Sequence, residues 1–219
     1  MGQEITLFNK LHQQTKRDFV GRMQDDKVGC MKVAKRFGRE FWDGDRRFGY
    51  GGYRYDGRWK TVAEDFIQAY GLADGARILD VGCGKGYLLY ELSRLLPGAQ
   101  VVGFDVSAYA LENAKPEVKD RLFRHRAQDP FPFADDAFDL VLSLTTLHNL
   151  PVEELKPALR EIERVGRQKY VCVESYRNEE ELFALQCWAL TAEAFFSFDS
   201  WRWLFAEFGY SGDYEFITF

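Results

Sequence analysis

The run ILDVGCGKGYLLYEL, residues 78–92, constrains the fold more than any other stretch of this 219-residue chain. Ile78, Leu79 and Val81 read as an apolar strand, and Gly82, Gly84 and Gly86 then open the backbone at every second position. Leu88, Leu89, Leu92, Leu95 and Leu96 resume at helical spacing. Glycines in such a loop tolerate positive φ and let a ligand approach the main chain closely. A strand, a glycine loop and an amphipathic helix in that order form the turn at which open α/β sheets receive ligands.

The spacing narrows the ligand. A dinucleotide fingerprint needs GxGxxG, whereas here the third glycine comes one position early and bulky Tyr87 follows it. A phosphate-binding P-loop needs Lys-Ser or Lys-Thr after its last glycine, but Lys85 lies between two glycines. The bland alternative is a tight strand-to-helix turn that binds nothing. The run resembles the cofactor loop of the class I S-adenosylmethionine-dependent methyltransferases, with Asp80, Gly82, Cys83, Gly84 and Gly86 at the matching positions. Asp80 suits a ligand that carries a sulfonium and an ammonium.

Later segments extend the resemblance. Residues 100–105 read as a second strand ending at Asp105, followed by a helix that Ser107 can cap. In the resembling family an acidic residue at this place accepts hydrogen bonds from both ribose hydroxyls, and Val106 matches the apolar neighbour that packs on adenine. Arg121–Arg126 is expected to be a third strand. Gln128 and Asp129 match the polar pair at the adenine edge, with an offset of one residue open because of Pro130-Phe131-Pro132-Phe133. Phe138–Leu144 reads as a fourth strand, whose end, Ser143 and Leu144, matches the place that holds the methionine portion, with His148 and Asn149 on the next loop.

Pro157 is expected to open a helix through Val165, and Lys169–Tyr176 to form a fifth strand with Glu174 near its carboxyl end. Asn178 with Glu181 resembles a capping box for a helix reaching about Phe196, and Ser197 starts another that stops at Gly209. Only Asp213–Phe219 remains for a last strand. The family pattern ends in a two-stranded hairpin, so the sheet is either one strand short or borrows a strand. The expected fold is α/β, a doubly wound, mostly parallel sheet of about six or seven strands with helices on both faces.

Residues 1–60 hold 14 Lys+Arg against 8 Asp+Glu, and residues 61–219 hold 15 against 26. The division expected is a basic N-terminal helical extension over residues 1–60 and a Rossmann-like core over 61–219, with the extension covering the ligand edge. Leu7, Phe8, Leu11, Phe19, Val20, Met23, Val28, Met31 and Phe37 fall at helical spacings within it. Residues 41–59 interleave Trp42, Phe48, Tyr50, Tyr53, Tyr55 and Trp59 with glycines and with Arg46, Arg47, Arg54 and Arg58. Arginines that grip an anion, a base-stacking surface and a plain packed connector are three readings of that stretch. The acidic whole, with pI near 5.4, disfavours nucleic acid. Thr61 with Glu64 is expected to cap the helix that leads back to the glycine strand.

Cys30, Cys83, Cys172 and Cys187 form no CxxC, and His12, His125 and His148 have no metal-ligand spacing, so reduced thiols, a cytoplasmic location and no metal are expected. No membrane span or secretory leader is read, and Met1-Gly2 with Thr6 is a weak acylation match. Oligomeric state is not legible.

The resemblance implies an S-adenosylmethionine cofactor, S-adenosylhomocysteine as product, and methyl transfer by in-line displacement. A high-pKa nucleophile needs a base, for which His148 comes first and Glu174 second; a locally packed His148 is the alternative. The arginine-aromatic stretch points to a small anionic acceptor, such as a phosphorylated or carboxylated metabolite or sugar precursor, with Tyr50, Tyr53, Arg54, Arg58 and Tyr176 as its candidate contacts. Methylation of nucleic acid or protein, an NAD oxidoreductase and a non-catalytic nucleotide binder are the competing classes.

Overall fold

The computed structural model describes residues 2–9, 17–50 and 53–219. Met1, Leu11 and His12 lie outside the described residues. Six strands form one sheet, β1 (Arg77–Val81), β2 (Gln100–Asp105), β3 (Leu122–Arg124), β4 (Phe138–Leu144), β5 (Gly166–Glu174) and β6 (Asp213–Ile217), in the order β3-β2-β1-β4-β5-β6. All five pairings are parallel. Their register sets Ile78 against Leu140 and Asp80 against Leu142, which brings the carboxyl ends of β1 and β4 side by side.

Alternation along the strands fills both faces. Ile78, Leu140, Leu142, Tyr170 and Cys172 join the core beneath α4 (Trp59–Tyr70) and α5 (Tyr87–Leu95), while Leu79, Val81, Val141, Val171 and Val173 join the opposite core with Leu159, Trp201 and Phe205. A fully buried Leu or Val contributes about 1.5–3 kcal/mol relative to exposure, so these stripes fix the register.

The last strand pairs in parallel with β5, and the N-terminus adds an isolated bridge to it. Glu4 bridges Tyr214, with Ile5 N–H donating to the Tyr214 carbonyl at 3.0 Å and Tyr214 N–H to Gln3 at 3.0 Å. Buried Glu215 accepts the N–H groups of Leu7 and Phe8 at 2.8 Å and of Asn9 at 2.6 Å, which anchors the turn that follows. The sheet thus has six strands, with an isolated bridge from Glu4 on the open edge of β6.

Three helix boundaries differ from expectation. The helix before β5, α8 (Val152–Val165), starts ahead of Pro157, because Leu155 belongs to the same buried stripe as Ala158, Leu159 and Ile162. Arg58, not Thr61, precedes α4, and Glu64 pairs instead with Lys60 at 3.6 Å. The helix opened by Asn178, α9 (Glu179–Trp188), stops well short of Phe196. Lys27 Nζ donates to the Cys187 carbonyl at 2.6 Å and also to that of Ala189, and the Tyr50 hydroxyl accepts Leu190 N–H at 2.7 Å, so groups distant in sequence take over the helix end. Ser197 and Gly209 bound α10 (Phe198–Phe208) as expected, and Ser107 caps α6 (Ala108–Glu112).

Among the described residues the extension holds α1 (Phe19–Gln24), α2 (Lys27–Ala34), α3 (Arg39–Asp43) and a 3-10 turn over Arg46–Phe48. Its Cys30, Ala34 and Phe41 form a small core with Leu190, backed by Trp42, Tyr50 and Tyr53. Short helices α7 (Pro116–Lys119) and the 3-10 turn Leu147–Asn149 complete the described elements. Among the described residues no helix is long and apolar enough to cross a membrane, and all four cysteines are free and buried.

Candidate functional site

A cavity of about 750 Å³ lies along the carboxyl ends of the strands, within the size range of cofactor sites. Its floor is made by Gly82 after β1, by Phe104, Asp105 and Val106 at the end of β2, and by Leu144, Thr145 and Thr146 after β4. Phe37, Phe41, Trp42, Tyr50 and Tyr53 of the extension roof it.

The glycines carry the conformation that the loop demands. Gly82, Gly84 and Gly86 have φ of 83°, 54° and 68°. A Cβ on Gly82 would lie 2.0 Å from Thr146 Oγ1, so β1 and β4 could not approach as closely. Asp105 clamps the loop from the neighbouring strand. Its carboxylate accepts Gly84 N–H at 2.9 Å and Ser107 N–H at 2.8 Å and still lies on the cavity wall. Both this carboxyl and that of Asp80 are buried, and burial opposes their ionisation. Burial, followed by the charge of Asp105, pushes Asp80 up to about 7, and burial also raises Asp105.

Farther along, His148 and Glu174 meet. His148 Nδ1 accepts the Glu174 N–H at 3.2 Å, and its Nε2 lies 3.5 Å from Glu174 Oε2. That network assigns the ring proton to Nε2. Burial pushes the Glu174 carboxyl up to about 7, against the opposing charges of Arg17 and Lys27. Among the described residues its Oε2 accepts no hydrogen bond, and neither does Asn149 Oδ1. Both residues line the cavity, while Asn149 Nδ2 holds the Thr145 and Thr146 carbonyls at 3.1 and 3.0 Å.

The other candidates divide clearly. Val106, Gln128, Leu144, Tyr50, Tyr53 and Arg58 line the cavity. Gln128 donates to Glu154 at 2.6 Å, and Arg58 is held by Asp56. Asp80, Cys83, Gly84, Gly86, Asp129 and Ser143 do not line the cavity; Ser143 donates to the Val81 carbonyl at 3.2 Å, and the Cys83 thiol is raised by burial. Arg54 is exposed off the cavity, and Tyr176 packs against Leu185, Ala189 and Ala192. Lining residues with no local signal in the sequence are Arg17, Arg36, Thr145, Trp188 and Thr191. Of these, Thr145 has φ 53°, a strained value for a β-branched residue at the end of β4.

The buried carboxyls set a pH dependence. Asp80 and Glu174 keep protons in the folded state up to about pH 7 that the unfolded chain has lost by about pH 4 to 5. Stability should therefore fall as pH rises through that window, by on the order of 3 kcal/mol for each group, and level off above it. Carboxylates with lowered values, such as Glu161 and Asp43, act below the window. Thermal melts of the ligand-free protein at pH 5.5 and 8 should give the higher Tm at pH 5.5, with Asp80→Asn and Glu174→Gln each reducing the difference. A Tm that rises across the window contradicts the assignment.

A parallel doubly wound sheet with a glycine loop, a clamped acidic residue after β2 and a cavity at the switch between β1 and β4 defines a nucleotide-type cofactor binder. A family model described as "Methyltransferase domain" matches residues 72–208. The chain therefore belongs to the methyltransferase-domain family, with the class I fold. It is 34% identical over 116 residues to a demethylmenaquinone methyltransferase of Roseiflexus sp. (strain RS-1), an overlap covering 51% of this chain and 48% of that one. It is 32% identical over 143 residues to the mitochondrial arginine-hydroxylase NDUFAF5 of Mus musculus, covering 65% and 38%. The chain thus spans about half or less of the length of these relatives. The crystal structure of the YcgJ protein from Bacillus subtilis shares the fold, with a TM-score of 0.54 at 21% identity over 67% of this chain and 66% of that one.

The family implies S-adenosylmethionine, and the wall fits it. Asp105 offers a buried carboxylate with acceptor capacity left after two backbone donors, Asn149 Oδ1 is an unpaired acceptor, and Gly82 leaves bare backbone beside the cavity. When bound, the cofactor supplies an electrophilic methyl group on a cationic sulfur.

Proposed function

We propose that the protein methylates a small acceptor that carries an anionic group, with Asp105, Val106 and Gln128 holding the adenosine portion of the cofactor. Leu144 and Asn149 serve the methionine end, Asp80 supports it from the glycine strand without lining the cavity, and Glu174 takes the proton of the acceptor's nucleophile. The observation that carries this reading is the Glu174 carboxyl: buried, raised to about 7, with Oε2 accepting no hydrogen bond and lying 3.5 Å from His148 Nε2, on a residue that lines the same cavity as Asp105. A base with a value near neutrality suits proton removal from a hydroxyl or an amine.

His148 acts on Glu174. Its Nδ1 lone pair is used by the Glu174 N–H, and Nε2 carries the proton that faces Oε2, so the neutral ring orients the carboxylate. Extension residues Arg36 and Arg46, which line the cavity and form no ion pair among the described residues, are the acceptor's anion contacts. The Arg46 guanidinium lies 5.6 Å from the Trp188 ring, and Tyr50 and Tyr53 wall the same end. Aromatic walls exclude water and leave the sulfur, methyl and nucleophile to be aligned by contact.

The test is S-adenosylhomocysteine formation from S-adenosylmethionine over a panel of carboxylated, phosphorylated and neutral hydroxyl and amino compounds, with demethylmenaquinone and an arginine peptide included. Turnover is expected with anionic acceptors, and a raised KM for them in the Arg36→Ala, Arg46→Ala double variant. Turnover confined to neutral acceptors, with KM unmoved by the double variant, refutes the anionic class. A product gaining oxygen in place of a methyl group refutes methyl transfer.

A further inference from the structure

Lys85, placed between two loop glycines, has no phosphate role in this fold, and its partner is in the extension. Its Nζ, on a side chain only 5% exposed, donates to Asp43 Oδ1 at 2.7 Å and Oδ2 at 2.8 Å, and to the Tyr53 carbonyl at 3.3 Å. Tyr109, on the helix after Asp105, donates to the same Asp43 carboxylate at 2.9 Å. Beside it, the Trp42 ring covers Gly84, where a Cβ would lie 2.8 Å from Cη2, and Trp42 Nε1 donates to Ser107 Oγ at 2.9 Å. The extension therefore grips both loops that hold the cofactor, the one after β1 and the one after β2.

The same stretch builds the acceptor end. Arg46 and Tyr50 follow Asp43 directly, and Tyr53 presents its ring to the cavity while its carbonyl is held by Lys85 and by Tyr87 at 2.7 Å. Asp43 itself does not line the cavity, so it reaches a ligand only through Lys85, Tyr109 and the segment that it pins.

We propose that Asp43 and Lys85 are a positioning pair that makes the acceptor site depend on the cofactor: a cofactor-ordered glycine loop holds Asp43, and Asp43 sets Arg46 and Tyr50 in place. This rests on the reading of the cavity as a joint cofactor and acceptor site. Coupling of this kind is reciprocal, so a placed acceptor end also slows departure of the cofactor product. The pair is charge-assisted, with the Lys85 ammonium withdrawn from water and the Asp43 side chain 24% exposed, so the hydrogen bonds are strengthened mainly on the Lys85 side.

The test uses S-adenosylhomocysteine as the probe, with its dissociation rate and the hydrogen exchange of residues 39–50 as readouts. In the wild type the probe is expected to slow exchange across 39–50 by roughly tenfold. In Asp43→Ala that protection is lost and the probe leaves roughly tenfold faster, while Lys85→Arg, which keeps the ion pair, behaves as the wild type. Tyr109→Phe, which removes one hydrogen bond to Asp43 and leaves the ion pair, gives an intermediate loss and serves if Asp43→Ala does not fold. Equal protection and equal dissociation in wild type, Asp43→Ala and Tyr109→Phe overturn the coupling. Failure of the probe to bind the wild type at all contradicts the cofactor site itself.

Discussion

Asp105→Ala is expected to weaken S-adenosylhomocysteine binding by roughly 10²-fold or more, the cost of two hydrogen bonds to a charged group. The loss has two parts. The ribose contacts proposed for this carboxylate disappear, and the Gly84 and Ser107 N–H groups that it accepts at 2.9 and 2.8 Å are left without their partner, which loosens the glycine loop. Ser107→Ala separates the two. It removes the hydroxyl that caps α6 and that also joins Trp42 Nε1 and the Phe37 carbonyl, but leaves the Ser107 N–H bond to Asp105, and it should cost about 1–3 kcal/mol of stability with a smaller effect on affinity than Asp105→Ala. Isothermal calorimetry decides the matter, and undiminished affinity in Asp105→Ala refutes the assignment.

Glu174→Gln is expected to lower turnover roughly 10²- to 10⁴-fold while leaving S-adenosylhomocysteine affinity within about twofold, because a positioned base contributes that much and Glu174 lies at the acceptor end. The amide keeps the shape of the side chain and removes the basic oxygen. His148→Asn should give a smaller loss and shift the pH profile, since the Glu174 N–H bond to Nδ1 is lost and the carboxylate is less firmly held. A Glu174→Gln variant with full turnover removes the base, and a His148→Asn variant more damaged than Glu174→Gln reverses the two roles.

The part of the cavity floor formed by the strand ends was legible because its signals are local. A strand, three glycines and a helix lie within 78–92, and Asp105 directly follows an apolar strand, so pattern and spacing locate both. Val106, Gln128 and Leu144 reach the cavity for the same reason. The part of the cavity proposed for the acceptor is assembled from distant pieces. Trp188 closes α9 and Thr191 lies just beyond it, where Lys27 and Tyr50 hold the chain through contacts separated by 160 and 140 residues. A capping-box reading sees the start of that helix and has no information on its end.

Charge pattern alone did not separate the arginines of the arginine-aromatic stretch. Arg54 is exposed and does not line the cavity, whereas Arg58, although paired with Asp56, and Arg46 both do. Lys85 looked like a failed phosphate ligand and is an ion-pair partner of the extension. The closing strand followed a similar logic. With a single strand left after Gly209, the sheet edge carries an isolated bridge from Glu4, and Glu215 holds the turn behind it through three N–H groups.

The measurement that bears most directly on the central claim is parallel calorimetric titration of the wild-type protein with S-adenosylhomocysteine and with NAD. The site described here predicts saturable one-to-one binding of S-adenosylhomocysteine, lost in Asp105→Ala, and no comparable binding of NAD. Binding of NAD with S-adenosylhomocysteine silent would contradict it.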